Sequence, residues 1–177
     1  LPNVFFRKLE PAGRLRTLNL EDENAESFGV AKAQELDWKV LLDVYSCTEC
    51  GRCHEHCPTH TTDKPLSPKR MNDHLKAFVY AHERELADGR TGELPDLFAA
   101  GAVGEDEIWA CTTCGFCEDA CPLFIEEVQW IVDFRRYKTL TESKFPEELT
   151  KAYRGLETNS NPWGIGAHKR AEWAEGR

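Results

Sequence analysis

Apolar residues along this chain recur at helical spacing and rarely alternate. Trp38, Leu41, Leu42 and Tyr45 share one side of a helix predicted from about Asp37 to Val44, which feeds into Cys47. Ser67 followed by Pro68 has the form of a helix start, a capping hydroxyl ahead of a first-turn proline. Met71, Leu75, Phe78, Val79 and Leu86 then mark one apolar face until Gly89 ends it, and Met71 and the aromatics there are expected in the core. A loop spans Asp88 to Gly92, followed by a short helix predicted from about Leu94 to Ala100. Glu105-Asp106-Glu107 opens another turn leading to Trp109 and Cys111, with its acids at the positive end of the helix dipole. Ile125, Val128, Ile131, Val132 and Tyr137 predict a long helix from about Ile125 to Thr139, and a last helix is expected from Pro146 to Leu156. The pattern is therefore all-α, with cysteine-bearing loops packed among helices.

The 177 residues are 41% apolar and 30% charged, a globular composition, and no stretch approaches the roughly 18 apolar residues of a membrane span. The formal charge of −9, with Lys and Arg scattered among more numerous acids, argues against nucleic acid as a partner. The opening segment is locally different. Arg7, Lys8, Arg14 and Arg16 stand against the single Glu10 before the chain turns acidic from Glu21 to Glu26. This is either a solvated tail or, with Phe5 and Phe6 beside the basic residues, a segment at the cytoplasmic face of a membrane. The first residues lack the charged and long apolar regions of a signal peptide, and the absent Met leads to the expectation of a trimmed chain or fragment. Three regions follow: a basic then acidic N-terminal segment at 1–36, a helical domain at 37–140, and a C-terminal helix and linker at 141–177.

All eight cysteines lie in two runs, Cys47-Thr-Glu-Cys50-Gly-Arg-Cys53-His-Glu-His-Cys57-Pro58 and Cys111-Thr-Thr-Cys114-Gly-Phe-Cys117-Glu-Asp-Ala-Cys121-Pro122. Corresponding cysteines sit 64 positions apart, with 53 residues between Cys57 and Cys111. A disulfide framework spreads its cysteines along a small secreted chain, whereas this tight spacing reads as metal ligation in a reducing compartment. Three cysteines spaced by two residues let one turning backbone wrap three corners of a [4Fe-4S] cube, and the cysteine before proline serves the other cluster in two-cluster ferredoxins. The spacing thus assigns Cys47, Cys50, Cys53 and Cys121 to a first cluster and Cys111, Cys114, Cys117 and Cys57 to a second. Gly51 and Gly115 permit positive φ and close backbone approach to sulfur, while Pro58 and Pro122 redirect the chain.

Structural zinc sites leave longer gaps between ligand pairs and do not repeat Cys-Pro. Cys50-Gly-Arg-Cys53-His54 also matches a haem-attachment signature, but the same cysteines complete the longer pattern, whose second copy has Glu118 in place of His54. His54 and His56 are expected to neighbour the first site and not to ligate it. Arg52, His54 and His56 flank the first run, whereas Glu118 and Asp119 flank the second. On this basis the first cluster is hypothesised to have the higher potential.

Two such runs around a helical spacer resemble the α-helical ferredoxin domain of the heterodisulfide reductase family, whose relatives include iron-sulfur subunits of glycolate oxidase and anaerobic glycerol-3-phosphate dehydrogenase. Lys64-Pro65-Leu66-Ser67-Pro68 is similar to the family's Gly-Lys-Pro-Leu-Ser-Pro stretch, with Asp63 in place of its Gly. Asn161-Pro162-Trp163-Gly164 with Arg170 and Trp173 is similar to the link toward a cysteine-rich catalytic domain in membrane-anchored members. Pro2-Asn3-Val4-Phe5-Phe6-Arg7-Lys8 is similar to the stretch after their haem-binding membrane part.

The resemblance implies a relay module in a membrane-associated, quinone-linked oxidoreductase. Its implied partners are a flavoprotein or cysteine-rich catalytic domain and a membrane haem or quinone subunit. The chain contains no Cys-Cys-Gly motif, flavin fingerprint or membrane histidine pair, so no substrate chemistry is assigned to it. The alternative is a freely diffusing ferredoxin-like carrier. Trp163 and Trp173 are expected to pack against helices, the other reading being docking anchors for a partner.

Overall fold

A computed structural model describes residues 5, 15–23, 25, 27–90, 92 and 94–175. The basic residues Arg7, Lys8 and Arg14 and the Pro2–Lys8 stretch singled out above lie outside the described side chains, except for Phe5. The described residues form helices joined by loops, with no strand among them. The chain divides into two compact units, Leu1–Glu142 and Ser143–Arg177.

In the first unit the helices are α1 (Trp38–Ser46), α2 (Arg52–Glu55), α3 (Pro58–Thr61), α4 (Pro68–Ala81), α5 (Glu83–Ala87), α6 (Glu105–Ala110), α7 (Phe116–Ala120) and α8 (Glu127–Arg136). Helix α4 begins as expected, with the Ser67 hydroxyl accepting from Arg70 N–H and Pro68 in the first turn. It ends earlier than the apolar face suggests. The His82 ring Nδ1 donates to the Phe78 carbonyl at 2.9 Å, taking up an acceptor of the last turn, and α5 starts afresh behind it.

The helix predicted at 94–100 does not form. The Asp96 carboxylate caps Ala99 N–H at 2.5 Å, Ala102 N–H closes back on the Leu97 carbonyl, and Gly101 at φ +70° turns the chain away after one turn. Short helices that periodicity did not reveal, α2, α3 and α7, fill the cysteine runs, because four or five residues are too few to show a helical stripe.

The core joins Val40 and Val44 of α1, Met71, Leu75 and Phe78 of α4, Ile108 of α6, and Trp130, Ile131 and Phe134 of α8. Complete burial of Met71 and Leu75 stabilises the fold by roughly 1.5–3 kcal/mol each. Residues 28–36, grouped above with the N-terminal segment, also enter this core through Val30, Ala33 and Leu36.

Phe28 and Thr141 exchange hydrogen bonds, and Val30 N–H donates to the Asp133 carbonyl at 3.1 Å. Beside this contact α8 ends and the chain continues as a π-helical turn, Tyr137–Thr141. Gly29, at φ +88°, passes so close that a methyl group on it would stand 2.2 Å from Tyr137 N and 2.5 Å from Asp133 O.

In the second unit α9 (Glu148–Asn159) ends at Ser160, whose φ of +57° is left-handed, and the Phe145 and Tyr153 rings meet edge to face. A short α10 (Glu172–Glu175) follows. Trp163 and Trp173 are 79% and 78% exposed, so the expected helix packing is not found.

The close passage at Gly29 gives a direct test of how the N-terminal segment is held. Gly29→Ala combines a left-handed backbone with a clash against backbone atoms, and should destabilise the first unit by about 3 kcal/mol. A thermal midpoint equal to that of the unsubstituted protein would contradict the packing described.

Candidate metal centre

The two cysteine runs fold in the same way, step for step. Each first cysteine caps a helix: Cys47 follows α1 and Cys111 follows α6, both with extended backbone. Two residues later the chain turns left-handed, at Glu49 (φ +58°) and Thr113 (φ +54°), and there the backbone N–H donates to the first cysteine's sulfur, at 3.4 Å for Cys47 and 3.3 Å for Cys111.

Positive φ is uncommon for any residue with a side chain and an outlier for β-branched threonine, so these positions hold strain. Gly51 (φ +86°) and Gly115 (φ +75°) repeat the left-handed turn and start α2 and α7. In both copies the amide four residues after the glycine returns to its carbonyl, at 3.0 and 3.1 Å. The fourth cysteines, Cys57 and Cys121, leave in extended conformation toward proline.

Helices α2 and α7 pack together and bring the two runs side by side. His56 of the first run meets Phe116 of the second, ring centroids 5.5 Å apart, and the Thr59 hydroxyl donates to the Ala110 carbonyl just before Cys111. His54 does not face solvent alone. Its Nδ1 lies 2.8 Å from Ser67 Oγ, and its ring meets His60 at a tilt of 36°, centroids 3.5 Å apart. Burial, then the charges of His60, Arg70 and Lys69, hold it below the usual histidine range.

The thiols influence one another in two sets. Cys53 is raised by Cys47 and Cys121, and Cys121 by Cys50. Cys111 is raised by Cys57 and Cys114, and Cys117 by Cys111. For Cys47, Cys53, Cys111, Cys117 and Cys121 the largest cause of the upward shift is burial itself. Cys50 and Cys114, the second cysteine of each run, are exposed.

Among the described residues no three His, Cys, Asp or Glu side chains converge as closely as a single ion requires. An iron-sulfur cube interposes its own width between its ligands. The donor set fits such a group: soft sulfur ligands on a strained backbone with amides aimed at sulfur.

Several residues of this site carry no signal in the sequence. Lys76 Nζ donates to the Cys47 carbonyl at 3.0 Å, and Arg135 donates to the carbonyls of Ile108 at 2.8 Å and Cys111 at 2.5 Å, so each run has a cation behind its first cysteine. Glu127 is buried beside Cys117 and Cys53, one from each run, with one carboxyl oxygen that has no hydrogen-bond partner. Burial pushes its carboxyl up to about 7. Lys39 and the fully buried Asp43 pair at 2.5 Å, and Asp43 also accepts from Glu126 N–H at 3.1 Å, fixing the start of α8. Glu118, one of the acids expected to flank the second site, accepts instead from Val128 N–H at 2.9 Å.

Comparison with known proteins agrees with this geometry. Residues 43–125 match the family model described as a 4Fe-4S dicluster domain. The chain is 37% identical to the probable iron-sulfur-binding oxidoreductase FadF of Bacillus subtilis, over 98% of this chain and 29% of that protein. It is 36% identical to the EtfAB:quinone oxidoreductase of Syntrophomonas wolfei, over 99% of this chain and 27% of that protein. It is 32% identical to a probable membrane-anchored ferredoxin of Chromohalobacter salexigens, over 98% of this chain and 28% of that protein. The chain thus spans less than a third of the length of these relatives. No solved structure gives a significant match.

Lys69 and Arg70 act on His54 beside the first run, and positive charge there favours the more negative, reduced form, the basis of the hypothesised order of potentials. A redox titration followed by EPR should find the higher midpoint at the site of Cys47, Cys50 and Cys53. The reverse order would show that Arg135 behind Cys111 outweighs the cations around the first run.

Proposed function

This chain belongs to the 4Fe-4S dicluster family, and from that premise we propose that it holds two [4Fe-4S] clusters and relays single electrons between a donor and an acceptor bound outside it. The observation that carries this reading is the repeated fold of the two runs, joined through α2 and α7, with thiols grouped across them. Cys47, Cys50, Cys53 and Cys121 hold the first cluster; Cys111, Cys114, Cys117 and Cys57 hold the second.

When bound, such clusters supply one-electron chemistry. The chain's own part is to hold and insulate them. Glu49 and Thr113 aim amides at sulfur, Gly51 and Gly115 let the backbone approach, and Lys76 and Arg135 fasten the first cysteine of each run. The crossed fourth cysteines keep the two sites adjacent, which favours transfer between them over exchange with solvent. Metal then supplies the positive charge that lets buried thiols stay ionised.

The relatives point to the setting. One is named a quinone oxidoreductase and another a membrane-anchored ferredoxin. We read this chain as the relay part of a larger membrane-associated, quinone-linked oxidoreductase of heterodisulfide-reductase type. It would work at the cytoplasmic face, between a flavoprotein or cysteine-rich catalytic domain and a membrane haem or quinone subunit. No helix among the described residues is long and apolar enough to cross a membrane.

Anaerobically purified protein should contain roughly eight iron atoms with equivalent sulfide, and its reduced form should show spin-coupled EPR signals. Zinc, or about four irons, would overturn the reading. Cys57→Ser should impair the cluster of Cys111, Cys114 and Cys117, and damage confined to the Cys47 cluster would refute the crossed assignment.

A further inference from the structure

Helix α4 carries near its start a side chain with nothing to bind. Asn72 is 0% exposed, and neither its amide nitrogen nor its oxygen has a hydrogen-bond partner. Buried amides in folded proteins are nearly always paired, because leaving one unpaired forfeits its hydration with no return. Its position on the helix indicates where the partner lies.

The buried stripe of Met71, Leu75, Phe78 and Val79 runs to one side of Asn72, while Asp73 and Lys76 lie to the other. Lys76, one turn on from Asn72, bonds the Cys47 carbonyl and pairs with Glu49 at 3.2 Å. The charge of Asp73 reaches the Cys47 sulfur. At the start of the helix, Ser67 bonds His54. Asn72 therefore sits between two anchors of α4 to the first cysteine run, where α4 packs on α1 and α2.

We propose that Asn72 donates an amide N–H to a sulfur of the first cluster and thereby raises that cluster's potential. A sulfur of the cluster only accepts, so the amide presents its Nδ2 to it. The donated hydrogen bond favours the reduced form, which carries more negative charge on sulfur. This rests on the reading of Cys47, Cys50, Cys53 and Cys121 as one cluster site.

The test uses the cluster-loaded protein. Asn72→Leu keeps the volume and removes the donor; Asn72→Asp keeps the shape and removes it. In both, with iron content equal to the unsubstituted protein, EPR titration should find one cluster's midpoint lowered and the other unmoved. Hyperfine spectroscopy of reduced unsubstituted protein labelled with 15N-asparagine should show one asparagine nitrogen coupled to a cluster spin.

Unmoved midpoints at full iron content would overturn the proposal, as expected of an amide bonded to a buried water. So would the absence of nitrogen coupling in the labelled protein, which decides the matter if both variants misfold. An unsubstituted protein without clusters would overturn the dicluster reading first, and this proposal with it.

Discussion

Packing among helices raises the pKa of the Cys47, Cys53, Cys111, Cys117 and Cys121 thiols by burial, and so opposes their use as anionic ligands. A protein interior accepts several neighbouring thiolates only where positive charge is placed among them. The rest of the first unit is arranged around that constraint. Helices α1 and α6 each end in the first cysteine of a run, α2 and α7 press the runs together, and Lys76 and Arg135 bind the carbonyls behind the first cysteines. Packing alone does not account for such an arrangement, because an apolar core of the same size would be easier to build.

The space between the runs shows the same economy of charge. Glu127 is buried beside a cysteine of each run, and burial pushes its carboxyl up, which works against another anion in the interior. Asp43 is fully buried yet held by Lys39 and by the Glu126 amide, so its charge is answered on two sides. Glu118 spends its carboxylate on the first turn of α8, where the N–H groups and the dipole receive it. The acids in this region are therefore placed for structure as well as for charge.

Much of this was legible from spacing. The all-α class, the start of α4, the core role of Met71 and the stripe of α8 follow from apolar periodicity and capping chemistry. The places where the pattern misled are short-range. His82 interrupts a continuous apolar face with a side-chain hydrogen bond, and Asp96 with Gly101 turns a helical pattern into a single turn. Neither contact has a period. The same holds at the site: the cysteines announce themselves, but Lys76, Arg135, Glu127 and Asn72 reach it from helices whose sequence reads as ordinary amphipathic surface and core. The left-handed turns at Glu49 and Thr113 were hidden for a different reason, since neither residue type favours that conformation.

The hydrogen bond from Thr59 to Ala110 ties the end of one run to the start of the other and closes a loop over the whole spacer. The entropy of closing a loop grows only with the logarithm of its length, about 0.6 kcal/mol for each doubling. Insertions or deletions in the turns between α5 and α6 therefore cost little, provided α4 keeps its hold on the first run. Shifting a single residue between Cys47 and Cys57, or between Cys111 and Cys121, would instead rotate a sulfur out of place. The chain is thus tolerant of drift in its long connection and intolerant inside its two short runs, and its history of change should be written almost wholly in the former.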